Sequence, residues 1–180
     1  NRVEENKDLS GMGRGTVNRY HAGAGLLVAA ALLIGCRSST IATQPSDLNR
    51  IAAAFSQPDS ATILVAAHRG AHDQAPENSL AAFQNAIDLG ADFIETDVRQ
   101  TRDGELILMH DDKVDRTTDG SGLVKEKTLA DISRLFLSGN ERVPTLRQAL
   151  ELVRGRIFLD LDIKSAGVEK IVRLLQETGT

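Results

Sequence analysis

From residue 61 onward, short apolar runs alternate with amphipathic stretches, and every apolar run carries or meets ionisable residues at its C-terminal end. That alternation is the pattern of βα units built around a parallel sheet. Residues 62–67, 92–98, 105–109 and 157–163 are rich in Ile, Leu and Val and read as four strands. Residues 79–89 read as a helix with Leu80, Phe83, Ala86 and Ile87 on one face, and Gly90 ends it. Asp103-Gly104 marks a turn before the third strand. Residues 129–135 read as a short helix. Pro144 opens a stronger one through Leu146, Ala149, Leu150 and Val153, and residues 168–177 begin the last.

Alternate side chains of a strand face opposite ways. On that basis Leu64, Ala66 and His68 share a face, as do Glu95 and Asp97, then Leu106, Leu108 and His110, then Asp160, Asp162 and Lys164. Each strand is expected to present an apolar side to a flanking helix and polar groups near its C-terminal end. A β/α barrel builds its active site in this way, at the C-terminal ends of the strands. The expected fold is therefore α/β, of the TIM (β/α)8 barrel type. A barrel takes roughly 250 residues, so the four βα units read here, the last incomplete, imply about the first half of one.

Three carboxylates, Glu95, Asp97 and Asp162, offer oxygen donors without cysteine, which suits a hard divalent ion such as Ca2+ or Mg2+. The competing reading pairs Glu95 or Asp97 with Arg99 or Arg69. His68 and His110 titrate near neutrality, as a general base and general acid must. Arg69 and Lys164 bring positive charge to the same mouth. A divalent cation, two proton-transfer groups and two cations are what phosphodiester cleavage requires.

Composition narrows the partners. The net charge is −4 and aromatics are 3 % with no Trp, against a nucleic-acid binder. The single cysteine excludes a disulfide framework and a Cys-based zinc site within the chain. That cysteine, Cys36, follows an uncharged stretch over 20–35 whose wholly apolar part, 26–34, is shorter than the roughly 20 residues a bilayer span needs. Arg14 and Arg19 precede it, so residues 12–35 read as a secretory signal, with residues 1–11 upstream sequence or artefact. Leu33-Ile34-Gly35-Cys36 resembles a bacterial lipobox, which implies lipidation of Cys36. Residues 36–60 then read as a Ser/Thr-rich tether and a short helix, with the globular domain over 61–180. The chain is expected to be exported and lipid-anchored, facing the periplasm or the cell exterior.

The motifs in order are His68-Arg69-Gly70, Pro76-Glu77-Asn78-Ser79, Glu95-Thr96-Asp97-Val98, His110-Asp111, Arg116-Thr117-Thr118-Asp119-Gly120, Val143-Pro144-Thr145-Leu146 and Asp162-Ile163-Lys164. Together they resemble the glycerophosphodiester phosphodiesterases over roughly residues 64–164. The resemblance implies a TIM barrel, a divalent metal, and hydrolysis of glycerophosphodiesters to sn-glycerol 3-phosphate and an alcohol. It implies His68 and His110 as the acid/base pair and Glu95 and Asp97 as metal ligands. Arg69 and Lys164 are implied as phosphate contacts, and Glu77 as a supporting residue near the metal. Many members of the family carry Glu where Asp162 stands, so Asp162 ligates directly or through a water. A lysophospholipase D or phosphoinositide phospholipase C type enzyme, or a non-catalytic binding lipoprotein, are the alternatives.

Overall fold

The computed structural model describes residues 48–57 and 63–180. The segments expected to form a signal and a tether, Cys36 included, lie outside the described residues except for residues 48–57. The elements run α1 (Leu48–Ser56), β1 (Ala66–His68), α2 (Leu80–Asp88), β2 (Phe93–Gln100), β3 (Leu106–Leu108), α3 (Leu129–Ile132), α4 (Leu146–Val153), β4 (Phe158–Ser165) and α5 (Val168–Thr178), with 3-10 turns at Val124–Glu126 and Ser138–Asn140. No helix among the described residues is long and apolar enough to cross a membrane.

Local chemistry sets the helix boundaries. Ser79 caps α2 by accepting from the Ala82 amide, and Gly90, at φ 75°, reverses the chain just after it. Thr128 and Thr145 each form a capping box, with Asp131 and Gln148 respectively. Pro144 stands just before the α4 cap rather than inside the helix.

Three strands are parallel. β2 pairs with β1 over Phe93 to Glu95 and with β4 from Phe93 to Arg99. The remaining end of β2 pairs with β3, but antiparallel, matching Val98 with Leu108 and Gln100 with Leu106. Because β4 occupies one edge of β2 throughout, β1 and β3 share the other edge end to end. This corrects the expectation of four parallel units: residues 105–109 form the return arm of a hairpin, and the parallel set is β1, β2 and β4. Five residues join β2 to β3, whereas a parallel crossover needs about a dozen or more. Gly104, at φ 87°, makes the tight turn, and Lys170 on α5 donates to its carbonyl.

β3 is buried on both faces. Leu106 and Leu108 join the main core with Phe83, Ile94, Val98, Leu150 and Ile171. Ile107 and Met109 join a second core with Val114, Val124, Ile132, Leu137 and Val143. The main core lies between the sheet and helices α2, α4 and α5, as the periodicity of those helices requires. Strand β1 is shorter than expected, beginning at Ala66. The fold also reaches back before residue 61, because Ile51 on α1 is fully buried and Arg50 pairs with Asp92.

Candidate active site

The loop after β1 is held in an uncommon conformation. Arg69 and Asn78 both have φ 56°, in the left-handed region, and Gly70 has φ 85°. Asparagine tolerates that region and arginine much less so. The Asn78 amide donates to the Arg69 carbonyl at 2.9 Å, locking the two together. A side chain on Gly70 would place its Cβ 2.8 Å from the Ala82 Cβ, so only glycine lets the loop lie against α2. The turn brings the Arg69 amide to the Glu95 carboxylate at 3.2 Å.

Midway along β2, level with and just beyond the end of β1 at His68, Glu95 and Asp97 face the same way, as period 2 dictates. Asp162 joins them from β4, paired in register with Asp97. One oxygen from each of the three carboxylates lies within 4.8 Å of the others. Asp97 is 1 % exposed and is the hub. It accepts from Asn78 Nδ2 at 2.9 Å. Lys164 Nζ approaches it at 3.2 Å and Arg69 Nε at 3.3 Å; the latter contact is an ion pair without hydrogen-bond alignment, because Arg69 Nε has no hydrogen-bond partner. Lys164 also reaches Asp162 at 2.5 Å. His68 Nε2 stands 3.8 Å from Glu95 Oε2, with its ring two-thirds exposed.

His110 lies two residues past the end of β3. There the chain leaves the strand, so the Asp111 carboxylate turns back and meets His110 Nδ1 at 2.7 Å. Strict strand alternation would have sent the two side chains apart. Arg99 donates to the His110 carbonyl at 2.9 Å, so it pairs with neither Glu95 nor Asp97. Arg116 donates to both carboxylate oxygens of Glu77 at 2.7 and 2.9 Å, and Nε donates to Asp111 at 2.7 Å. Glu77 in turn accepts from Arg69 at 3.1 Å. An unbroken line of polar contacts therefore runs from His110 through Asp111, Arg116, Glu77, Arg69 and Asp97 to Lys164 and Asp162.

The charges in this line are unbalanced. Glu77, Glu95, Asp97, Asp111 and Asp162 outnumber Arg69, Arg116 and Lys164, and the excess stays negative if Arg99 is counted. Hydrogen bonds and charge from Arg116, with a smaller contribution from His110, hold the Asp111 carboxyl well below the usual carboxylate range. Arg116 first, then Arg69, lowers Glu77. Glu77 and Asp111 raise the Arg116 guanidinium in return, and Asp162 ahead of Asp97 raises Lys164. Glu77 and Asp111 are thus matched by guanidinium, whereas Glu95, Asp97 and Asp162 share only Lys164 and one side of Arg69. Three clustered, under-neutralised carboxylates with no sulfur donor fit a hard divalent cation.

Of the residues expected at the mouth, Arg69, Glu77, Asp97, His110, Asp162 and Lys164 lie on this line, Glu95 adjoins it through the Arg69 amide, and His68 stands beside it, 3.8 Å from Glu95. Sequence reasoning assigned no role to Asn78 or Arg116. A polar Asn directly before a helix cap was the available signal for Asn78; Arg116 had none beyond its place in a motif. A cavity of about 780 Å3 lies elsewhere, lined by Leu106, Arg147, Lys170 and Arg173 among others. Arg147 and Lys170 there are paired with Glu177 and Glu105, and none of the candidate residues lines it. The chemistry sits with the carboxylate cluster.

Residues 68–173, more than half of the chain, match the model of the glycerophosphoryl diester phosphodiesterase family. A glycerophosphodiester phosphodiesterase of Caldanaerobacter subterraneus subsp. tengcongensis is 44 % identical over 128 residues, covering 63 % of this chain and 53 % of its own length. The crystal structure of a glycerophosphodiester phosphodiesterase from Agrobacterium tumefaciens superposes with a TM-score of 0.63 at 37 % identity, over 66 % of this chain and 54 % of that one. An Oleispira antarctica phosphodiesterase, solved in complex with the product sn-glycerol-3-phosphate, superposes with a TM-score of 0.62 at 33 % identity, over 64 % of this chain and 53 % of its own. The chain spans about half the length of the curated relatives it matches.

Proposed function

The chain belongs to the glycerophosphoryl diester phosphodiesterase family, its sheet being part of that family's TIM barrel, and from this we propose that the whole protein hydrolyses glycerophosphodiesters to sn-glycerol 3-phosphate and an alcohol. The observation that carries the reading is the convergence of Glu95, Asp97 and Asp162 within 4.8 Å, with His68, Arg69 and Lys164 against them.

Glu95, Asp97 and Asp162 would hold Ca2+ or Mg2+, which supplies charge neutralisation at the phosphate oxygens. Lys164 and Arg69 add fixed positive charge toward the same phosphate. One of His68 and His110 takes the proton of the attacking hydroxyl, from water or from the neighbouring glycerol hydroxyl. As its oxygen bonds to phosphorus, the bond from phosphorus to the alcohol breaks, and the other histidine donates its proton to the departing alkoxide; where the glycerol hydroxyl is the attacker, the product is a cyclic phosphate, which a water then opens to sn-glycerol 3-phosphate with the two histidines exchanging roles. Asp111 on Nδ1 sets the tautomer of His110, leaving Nε2 for that exchange.

The test is hydrolysis of a choline ester of glycerol phosphate by the full-length protein, followed by release of sn-glycerol 3-phosphate. Excess EDTA should abolish turnover and Ca2+ or Mg2+ restore it. Turnover undiminished in EDTA would overturn the metal reading, and binding without turnover the enzymatic one. The apolar run over 26–34 and the single cysteine after it further support export and lipid attachment at Cys36, facing the periplasm or exterior of a bacterium. Mass spectrometry of the mature protein should find a lipidated Cys36 at its N-terminus; an intact N-terminus upstream of it would refute the anchor.

A further inference from the structure

The loop after β1 and the loop after β3 share no strand, yet one side chain ties them together. Arg116 reaches back 39 residues to Glu77 and five residues to Asp111. It presents the edge of its guanidinium, Nη1 and Nη2, to Glu77 at 2.9 and 2.7 Å. With Nε and Nη2 it holds Asp111 at 2.7 and 3.0 Å. A planar fork can grip two carboxylates at once, which a single ammonium cannot. Asp111 then meets His110 Nδ1 at 2.7 Å.

We propose that Arg116 is a positioning residue for His110, fixing the ring through Asp111 and anchoring it to the Arg69 loop through Glu77. The catalytic consequence rests on the reading of the protein as a phosphodiesterase; the orientation of the ring does not. Three features support the assignment. The His110 main chain is already fixed, since Arg99 holds its carbonyl. What remains free is rotation of the ring, and Asp111 is the side chain that restrains it. Asp111 needs its own restraint, because it sits past the end of β3 in a loop, and Arg116 supplies it from two directions. Finally, the Arg116 side chain is 48 % exposed. Its two carboxylate partners are far less exposed, Glu77 at 18 % and Asp111 at 28 %, so the guanidinium closes over them from the solvent side, and its four contacts fix the carboxylates of two different loops relative to each other. Glu77 matters as the fixed end of the clamp, because Arg69 Nη1 also donates to its Oε1, at 3.1 Å.

The experiment compares the full-length wild type with Arg116→Ala, Arg116→Lys, Asp111→Ala and the Arg116→Ala/Asp111→Ala double variant. Long-range 15N–1H spectra of the histidine ring nitrogens, recorded without substrate, read the ring directly. In the wild type His110 should show one protonated Nδ1 in a strong hydrogen bond. In Arg116→Ala that signature should be lost or broadened, with His68 unchanged. In turnover of the choline ester, Arg116→Ala should lower kcat by roughly 10–100-fold, the scale set by loss of an orienting partner, with KM within about twofold. The double variant should be no slower than Asp111→Ala alone, as for groups that act as one unit. Arg116→Lys should regain only part of the loss. An unchanged His110 signature in Arg116→Ala would overturn the proposal, as would additive losses in the double variant. A wild type that leaves the ester intact would overturn the phosphodiesterase reading alone, because the spectra still decide the positioning.

Discussion

Asn78 does more at the candidate site than its neutral side chain suggests. Its Nδ2 donates to Asp97 at 2.9 Å, and its Oδ1 accepts from Thr96 Oγ1 at 2.7 Å. All three residues are buried. Asn78→Ala would leave the Asp97 carboxylate short of a donor and the Thr96 hydroxyl without its acceptor. Each buried polar group so stranded costs about 1–3 kcal/mol, and alanine adds about 1 kcal/mol of left-handed strain at φ 56°. A loss of about 3 kcal/mol or more is expected, read as a lower urea midpoint, together with weaker binding of the proposed divalent cation through a loosened Asp97. A midpoint shift worth under 1 kcal/mol would show that water replaces the amide without loss. At this scale, periodicity made the strand residues legible, whereas Arg69, Glu77 and His110, which lie in loops, were legible from their chemistry and from the family resemblance. Glu95, Asp97, Asp162 and Lys164 follow from period 2 alone once the strands are recognised. Asn78 and Arg116 were not legible, because their roles depend on a left-handed backbone and on a contact across 39 residues, and neither leaves a periodic trace.

Among the elements, α4 shows how local signals carry through to packing. Thr145 caps it, Gln148 closes the capping box, and Leu146, Ala149, Leu150 and Val153 enter the main core. Thr145→Ala should cost about 1 kcal/mol as a shift in the denaturation midpoint. Metal affinity should stay unchanged, since Thr145 touches none of the three carboxylates; a parallel loss of affinity would mean that α4 helps to place the site. The contrast with Asn78 separates residues that hold the fold from those that hold the site. β3 was the element misread. Its run Leu106-Ile107-Leu108-Met109 has no polar residue to mark an outer face, and burial on both sides explains why. The short connection through Asp103-Gly104 was the legible clue to its direction, because chain length forbids the crossover that a parallel neighbour needs.

For the molecule as a whole, the three parallel strands are adjacent in the order β1, β2, β4, and among the described residues the outer edges of β1 and β4 are unpaired. Such edges present backbone donors and acceptors ready for a neighbouring strand, in keeping with a sheet that is part of a barrel. The second core, built from Ile107, Met109, Val114, Val124, Ile132, Leu137 and Val143, supplies no metal-ligating carboxylate, yet it lies in the chain between Asp97 and Asp162. Those two aspartates must find each other across the whole intervening segment, and the entropic penalty of closing a flexible loop rises with the logarithm of its length. A segment that first collapses on its own apolar residues behaves as a much shorter loop. The two aspartates proposed to hold the metal are then joined by a shorter effective loop, one closed by apolar side chains that supply none of the three carboxylates.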